Sequence, residues 1–186
     1  MTQQAAQKTK ISILLIEDNP TDVELVRCAL SNADLVCDLT VLEDGAEALD
    51  LLRRVDGSGV PDLIVLDLNL PKHDGVEVLQ AIRATEAFAK VPVAILSSSS
   101  SLRERARIEP YRVSRYITKP PDLDQFLLIG FTLKELVSGN GYAADATILP
   151  SPIDCAERRA RIRRIRTAVS VAPTAEAISQ VESPSN

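Results

Sequence analysis

Apolar residues gather in five short runs that recur about every 25 residues: ISILLIE (11–17), LVCDLTVL (35–42), LIVLD (63–67), VPVAILS (91–97) and RYITK (115–119). LIVLD, short and unbroken, has the pattern of a strand buried on both faces. The segments between the runs carry helical punctuation instead. Asn19-Pro20 sets a capping residue before a proline suited to a first helical turn, and Val23, Val26 and Leu30 then repeat at helical spacing. Asp44 can cap AEALDLLRRV, and Asp74 can cap GVEVLQAIRAT, whose Val78, Leu79 and Ile82 form one stripe. Leu102 to Tyr111 predicts a weaker helix cut by Pro110, and Asp122 can cap LDQFLLIGFTLKELV. Strands alternating with helices at this period predict right-handed βαβ units around a mostly parallel sheet. Five of each suit the small doubly wound α/β fold with strand order 2-1-3-4-5. We place that domain at 9–138, after a flexible N-terminus at 1–8.

Beyond Gly139 the pattern stops. Residues 139–153 predict a linker, 154–171 a possible basic helix and 172–186 a disordered tail. No run approaches the roughly 18 apolar residues of a membrane span, and MTQQAAQKTK lacks the apolar centre of a secretory signal. Cys28, Cys37 and Cys155 form no CxxC pair, which predicts reduced thiols in a cytoplasmic protein. A net charge of −5 argues against nucleic acid as the main partner. That charge is uneven, because residues 1–137 hold 15 basic against 21 acidic side chains, while 154–166 hold six Arg against two acids. The Arg run fits a solvated helix face, or docking onto an acidic surface.

Strand order also brings chemistry together. In order 2-1-3-4-5 the first and third strands are neighbours, about 4.8 Å apart. One ends in Glu17-Asp18 and the other in Asp67, on the sheet edge where such folds bind ligands. Three carboxylates crowded there repel one another unless a cation lies between them, and oxygen ligands at a partly open site suit Mg²⁺. The fourth strand ends in Ser97, a hydroxyl donor, and the fifth in Lys119, a cation able to reach Asp67. A carboxylate so placed can attack phosphorus to form an aspartyl phosphate, in a site that positions the group and neutralises its oxygens.

LLIEDNPTD, LIVLDLNLPKHDG, AILSSSS and YITKP together resemble the receiver domain of two-component response regulators, over about residues 11–136. The wider strings DNPTDVELVRCAL, DLNLPKHDGVEVL and ITKPPDLDQF are most similar to the stand-alone regulators that serve phytochrome-type histidine kinases. The resemblance implies a flavodoxin-like fold with Asp67 as the phospho-acceptor. It implies Mg²⁺ held by Glu17, Asp18 and Asp67 with the backbone carbonyl of Asn69. Ser97 is by the same resemblance the switch hydroxyl, Lys119 the phosphate-contacting lysine and Tyr116 the switch aromatic. It further implies a sensor histidine kinase as partner and a non-enzymatic signalling role. The 48 residues after 138 are too few and too irregular for a winged-helix effector, so output through protein contacts rather than a DNA-binding domain is expected. Two departures stand out. EPYRVSRY replaces the usual small-residue turn before the fifth strand, and Ser99, within SSSSS (97–101), lies where relatives position or exclude the attacking water.

Two other families share part of this pattern. A phosphatase of the haloacid dehalogenase type shares the strand-end nucleophile but expects a second Asp two residues on, where this chain has Asn69. A flavodoxin-like electron carrier expects a Ser/Thr/Gly-rich loop after the first strand, where this chain has Glu-Asp-Asn-Pro. His73 is expected to be an exposed loop residue, Cys28 and Cys37 to pack in the core, and Asp74-Gly75 to form a turn and helix start. In the last helix, Leu123, Phe126, Leu127, Gly130, Leu133 and Val137 follow the stripe that packs on the sheet. Leu128 and Phe131, with part of Ile129, fall outside it and predict a homodimer through the face of the fourth helix, fifth strand and fifth helix.

Overall fold

The computed structural model describes residues 10–54 and 59–139; the expected N-terminal arm (1–8), the basic helix, the tail, Cys155 and all but the first residue of the linker lie outside them. Strands β1 (Ile11–Ile16), β2 (Cys37–Leu42), β3 (Leu63–Leu66), β4 (Val93–Ser97) and β5 (Arg115–Thr118) alternate with helices α1 (Pro20–Asn32), α2 (Gly45–Arg54), α3 (Gly75–Ala84), α4 (Leu102–Ile108) and α5 (Leu123–Val137). All strand pairs are parallel and the order is β2-β1-β3-β4-β5.

The caps form as the residue types predict. Asn19, Asp74 and Asp122 accept backbone N–H bonds from Thr21, Val76 and Gln125, and Asp44 accepts from Glu47 at 2.9 Å. β3 and β4 are buried along their whole length, whereas β2, at the sheet edge, alternates half-buried and exposed positions over most of its length. Its run begins two residues later than the sequence predicts, with Leu35 buried and Val36 77% exposed.

Two apolar layers flank the sheet. One sets Leu14, Ile16, Ile64, Leu66 and Ile95 against Leu79, Ile82 and Phe88; the other sets Ile13, Leu15, Val65 and Leu96 against Val26, Phe126 and Leu133. On the second side α1 and α5 touch. A Cβ on Gly130 would lie 1.9 Å from the carbonyl oxygen of Ala29. Lys134 Nζ donates to the Ala33 carbonyl at 2.7 Å and Asn32 Nδ2 to the Leu127 carbonyl at 3.2 Å.

This docking corrects the reading of α5. A helix covered by both a sheet and a neighbouring helix has a wider buried arc than one packed on the sheet alone. Ile129 and Leu136 are therefore buried, and Leu128 and Phe131 are half-buried rather than in water. Cys28 and Cys37 are half-buried, and Cys37 packs against the second apolar layer.

The unusual segment before β5 resolves into a short α4 followed by a 3₁₀ turn, Glu109–Tyr111, with Pro110 in its first turn. Arg112 closes that turn in the left-handed region at φ 47°. Arg83 of α3 holds the segment: Nε donates to the Tyr111 carbonyl at 2.8 Å, and its guanidinium reaches the carbonyls of Val91 and Arg112.

Candidate functional site

Parallel pairing carries each ladder one residue past its strand. Glu17 N donates to the Leu42 carbonyl at 3.0 Å, Asp67 N to the Ile16 carbonyl at 3.0 Å, and Lys119 N to the Ser97 carbonyl at 2.8 Å. The backbone thus fixes Glu17, Asp67, Ser97 and Lys119 at one edge. The turn after Asp67 is equally constrained, since a Cβ on Gly75 would lie 2.5 Å from the Asp67 carbonyl oxygen.

Lys119 is the hub of the site. Its ammonium, in a side chain only 8% exposed, donates to Glu17 Oε2 at 2.7 Å, Asp67 Oδ2 at 2.7 Å and Asp22 Oδ2 at 2.8 Å. All three ammonium protons are thereby used. Burial alone would lower the Lys119 pKa; the bonds to Asp22, Asp67 and Glu17 outweigh it and hold the amine well above its ordinary range. One ammonium cannot neutralise this many carboxylates. Burial accordingly pushes the Glu17 carboxyl up to about 7, against the pull of Lys119.

Glu17, Asp18 and Asp67 can each bring one carboxylate oxygen within 4.8 Å of the others, with Asp18 exposed and the other two buried. Hard oxygen donors, partly open to water and with surplus negative charge, fit a divalent cation such as Mg²⁺. Asp67 Oδ1 also accepts from Asn69 N at 3.0 Å.

Ser97 is fully buried. Its hydroxyl accepts from Ser99 N at 3.2 Å and from Asn69 Nδ2 at 3.4 Å, and donates to Glu104 Oε1 at 2.8 Å. The single Tyr116 hydroxyl proton is shared between the Ser99 carbonyl at 2.8 Å and Glu104 Oε1 at 3.0 Å. Ser99 therefore meets Tyr116 through its main chain, while its own hydroxyl accepts from Ser101 N at 3.1 Å. His73, expected in an exposed loop, keeps a side chain 36% exposed, with its ring 3.0 Å from Glu77.

The structure thus gathers Glu17, Asp18, Asp67 and Lys119 into one cluster and sets Ser97, Asn69 and Tyr116 around its β4 side. Leu128 and Phe131 belong to α5, in the layer that covers the other face of the sheet. Sequence reasoning missed Asp22 and Glu104. Asp22 lies in the first turn of α1, five residues after Glu17, and only docking of that helix brings it to Lys119.

Comparison with known proteins agrees with this geometry. The response regulator receiver domain family matches residues 13–129. Response regulator Rcp1 of Synechocystis sp. (strain ATCC 27184 / PCC 6803 / Kazusa) is 36% identical over 121 residues, which cover 63% of this chain and 82% of that protein. The crystal structure of the phosphorylated cyanobacterial phytochrome response regulator RcpA superposes with a TM-score of 0.63 at 36% identity, covering 69% of this chain and 94% of that one. The Mn²⁺-bound form of Rcp1 gives a TM-score of 0.61 at 30% identity, covering 76% and 99%.

Proposed function

The chain belongs to the response regulator receiver family, a signalling module of two-component systems, and we propose that it accepts a phosphoryl group on Asp67 from a sensor histidine kinase of the phytochrome type. The observation that carries this reading is the position of the Asp67 carboxylate, between the Lys119 ammonium and the acidic pair Glu17 and Asp18.

The chemistry follows from what surrounds that carboxylate. An Asp67 oxygen attacks phosphorus in line with the departing nitrogen of a phosphohistidine. The new P–O bond forms as the P–N bond breaks, and the nitrogen leaves with the bonding pair and takes up a proton. The Asn69 N–H and the Lys119 ammonium orient the carboxylate. Lys119, already charged, moves with the phosphoryl oxygens as charge develops on them. Glu17, Asp18, Asp67 and the Asn69 carbonyl would hold Mg²⁺, which would supply neutralisation of those oxygens. The Mn²⁺-bound Rcp1 neighbour supports a divalent cation here.

Phosphate on Asp67 offers an acceptor to the Ser97 hydroxyl. Drawing that hydroxyl away frees space into which Tyr116 turns, and this remodels the face of α4, β5 and α5. The output is protein contact in the cytoplasm, including a homodimer through that face with Leu128 and Phe131 at its interface. The phosphatase alternative lacks its general acid, because Asn69 presents an amide that donates to Ser97.

The test is phosphotransfer from an autophosphorylated phytochrome-type histidine kinase. Label should move to the wild-type chain within seconds to minutes and not to Asp67→Asn. Equal labelling of the variant contradicts the assignment.

A further inference from the structure

Glu104 is a charged residue to which the sequence pattern assigns nothing. It lies half-buried in the first turn of α4. A single oxygen, Oε1, accepts from Ser97 Oγ at 2.8 Å and shares the Tyr116 hydroxyl proton, at 3.0 Å, with the Ser99 carbonyl. Both donors are the groups assigned to the switch.

The Ser97 hydroxyl has one proton to give. Its oxygen already accepts from Ser99 N and Asn69 Nδ2, so donation to Glu104 completes its bonding in a fully buried position. That proton cannot serve Glu104 and a phosphoryl oxygen on Asp67 together. We propose that Glu104 is a positioning residue that holds Ser97 and Tyr116 in the unphosphorylated arrangement, and that it must release the Ser97 hydroxyl before that hydroxyl can meet the phosphoryl group. The inference rests on the reading of Asp67 as acceptor and of Ser97 as the phosphate's partner.

Three observations support a releasable hold. Ser97 Oγ donates at 2.8 Å to a carboxylate oxygen, an acceptor able to compete with a phosphoryl oxygen for the same proton. Tyr116 keeps a second acceptor, the Ser99 carbonyl, and the Arg105 guanidinium lies 4.4 Å from its ring centroid, so the phenol is not orphaned by release. A cleft of about 410 Å³ between loop 68–74 and the side chains of Glu104 and Arg107 gives the freed carboxylate somewhere to turn. One turn further on, Arg107 pairs with Asp74, the cap of α3. Release of Glu104 therefore loosens the start of α4 while its far end stays tied.

The experiment measures phosphorylation of the full chain by a small acyl phosphate with Mg²⁺. It compares wild type, Glu104→Gln and Glu104→Ala, each also in a Ser97→Ala background. Glu104→Ala should accelerate labelling roughly tenfold, the worth of one lost charge-assisted bond. Glu104→Gln, uncharged but keeping an acceptor oxygen, should show less than half of that gain on a logarithmic scale. Neither substitution should accelerate labelling when Ser97 is Ala. An unchanged rate in Glu104→Ala, equal gains in both variants (a charge effect only), or a gain that persists without Ser97 each overturns the proposal.

A second readout is independent of phosphorylation. The chain has no Trp, so its emission is tyrosine emission, which donation to a carboxylate quenches. Glu104→Ala should brighten it, and Tyr116→Phe should remove the difference; no brightening also overturns the proposal. Should wild type itself take no label at Asp67, the functional reading falls and this inference with it. Normal labelling of wild type with unaltered Glu104 kinetics sinks the inference alone.

Discussion

Glu17 shows how a single residue makes this site conditional. Its carboxyl titrates at about 7 in the fold against an ordinary 4.5, so between those values the folded chain binds a proton that the unfolded chain does not. Its contribution to stability is full below about pH 4.5 and is lost as pH rises through about 7, with a ceiling near 3 kcal/mol. Mg²⁺ prefers the ionised carboxylate, so its affinity should climb across the same window and its stabilising effect should be largest above pH 7. Urea unfolding of the chelated protein at pH 5.5 and pH 8, with and without added Mg²⁺, measures this. Glu17→Gln should flatten the metal-free pH dependence; an identical slope in the variant would contradict the assignment. Asp67, Glu17 and Lys119 were legible in the sequence because strand ends are fixed by backbone pairing. Asp22 and Glu104 were not, because their contacts depend on how α1 and α4 dock, which residue spacing does not encode.

Among the elements, the helix starts were the most legible, since each cap is a local bond between residues two or three apart. The breadth of α5's buried face was not, because it depends on α1, about a hundred residues earlier in the chain. Gly130 is where that dependence is sharpest. A methyl group there would meet the Ala29 main chain, which can yield only by moving the helix. Gly130→Ala should therefore destabilise the domain by about 2 kcal/mol or more, despite the better helix propensity of Ala. Equilibrium urea denaturation checks it, and a stabilised variant would show that the two helices are not in such close contact. The weak helix cut by Pro110 was legible, but what holds the segment before β5 was not. Its irregular residues are held by Arg83 from α3, so a long-range clamp replaces the small-residue turn.

For the whole molecule, the proposed phosphoryl acceptor on one sheet edge must act on contacts made elsewhere on the surface. Leu128 and Phe131 are half-buried rather than fully exposed, so the interface proposed there is smaller than the sequence suggested, and association through it should be correspondingly weak. Phe131→Asp should shift sedimentation toward monomer at tens of micromolar, and phosphorylation should strengthen or rearrange the dimer. A monomer in every condition would remove the dimer from the account and leave the receiver intact. If Asp67 itself carries the phosphoryl group, chemical trapping will locate it there. Borohydride reduces an aspartyl phosphate to homoserine, so the phosphorylated full chain, reduced, digested and mapped by mass spectrometry, should show homoserine at position 67 and at no other Asp. Homoserine elsewhere, with residue 67 still Asp, would contradict the account.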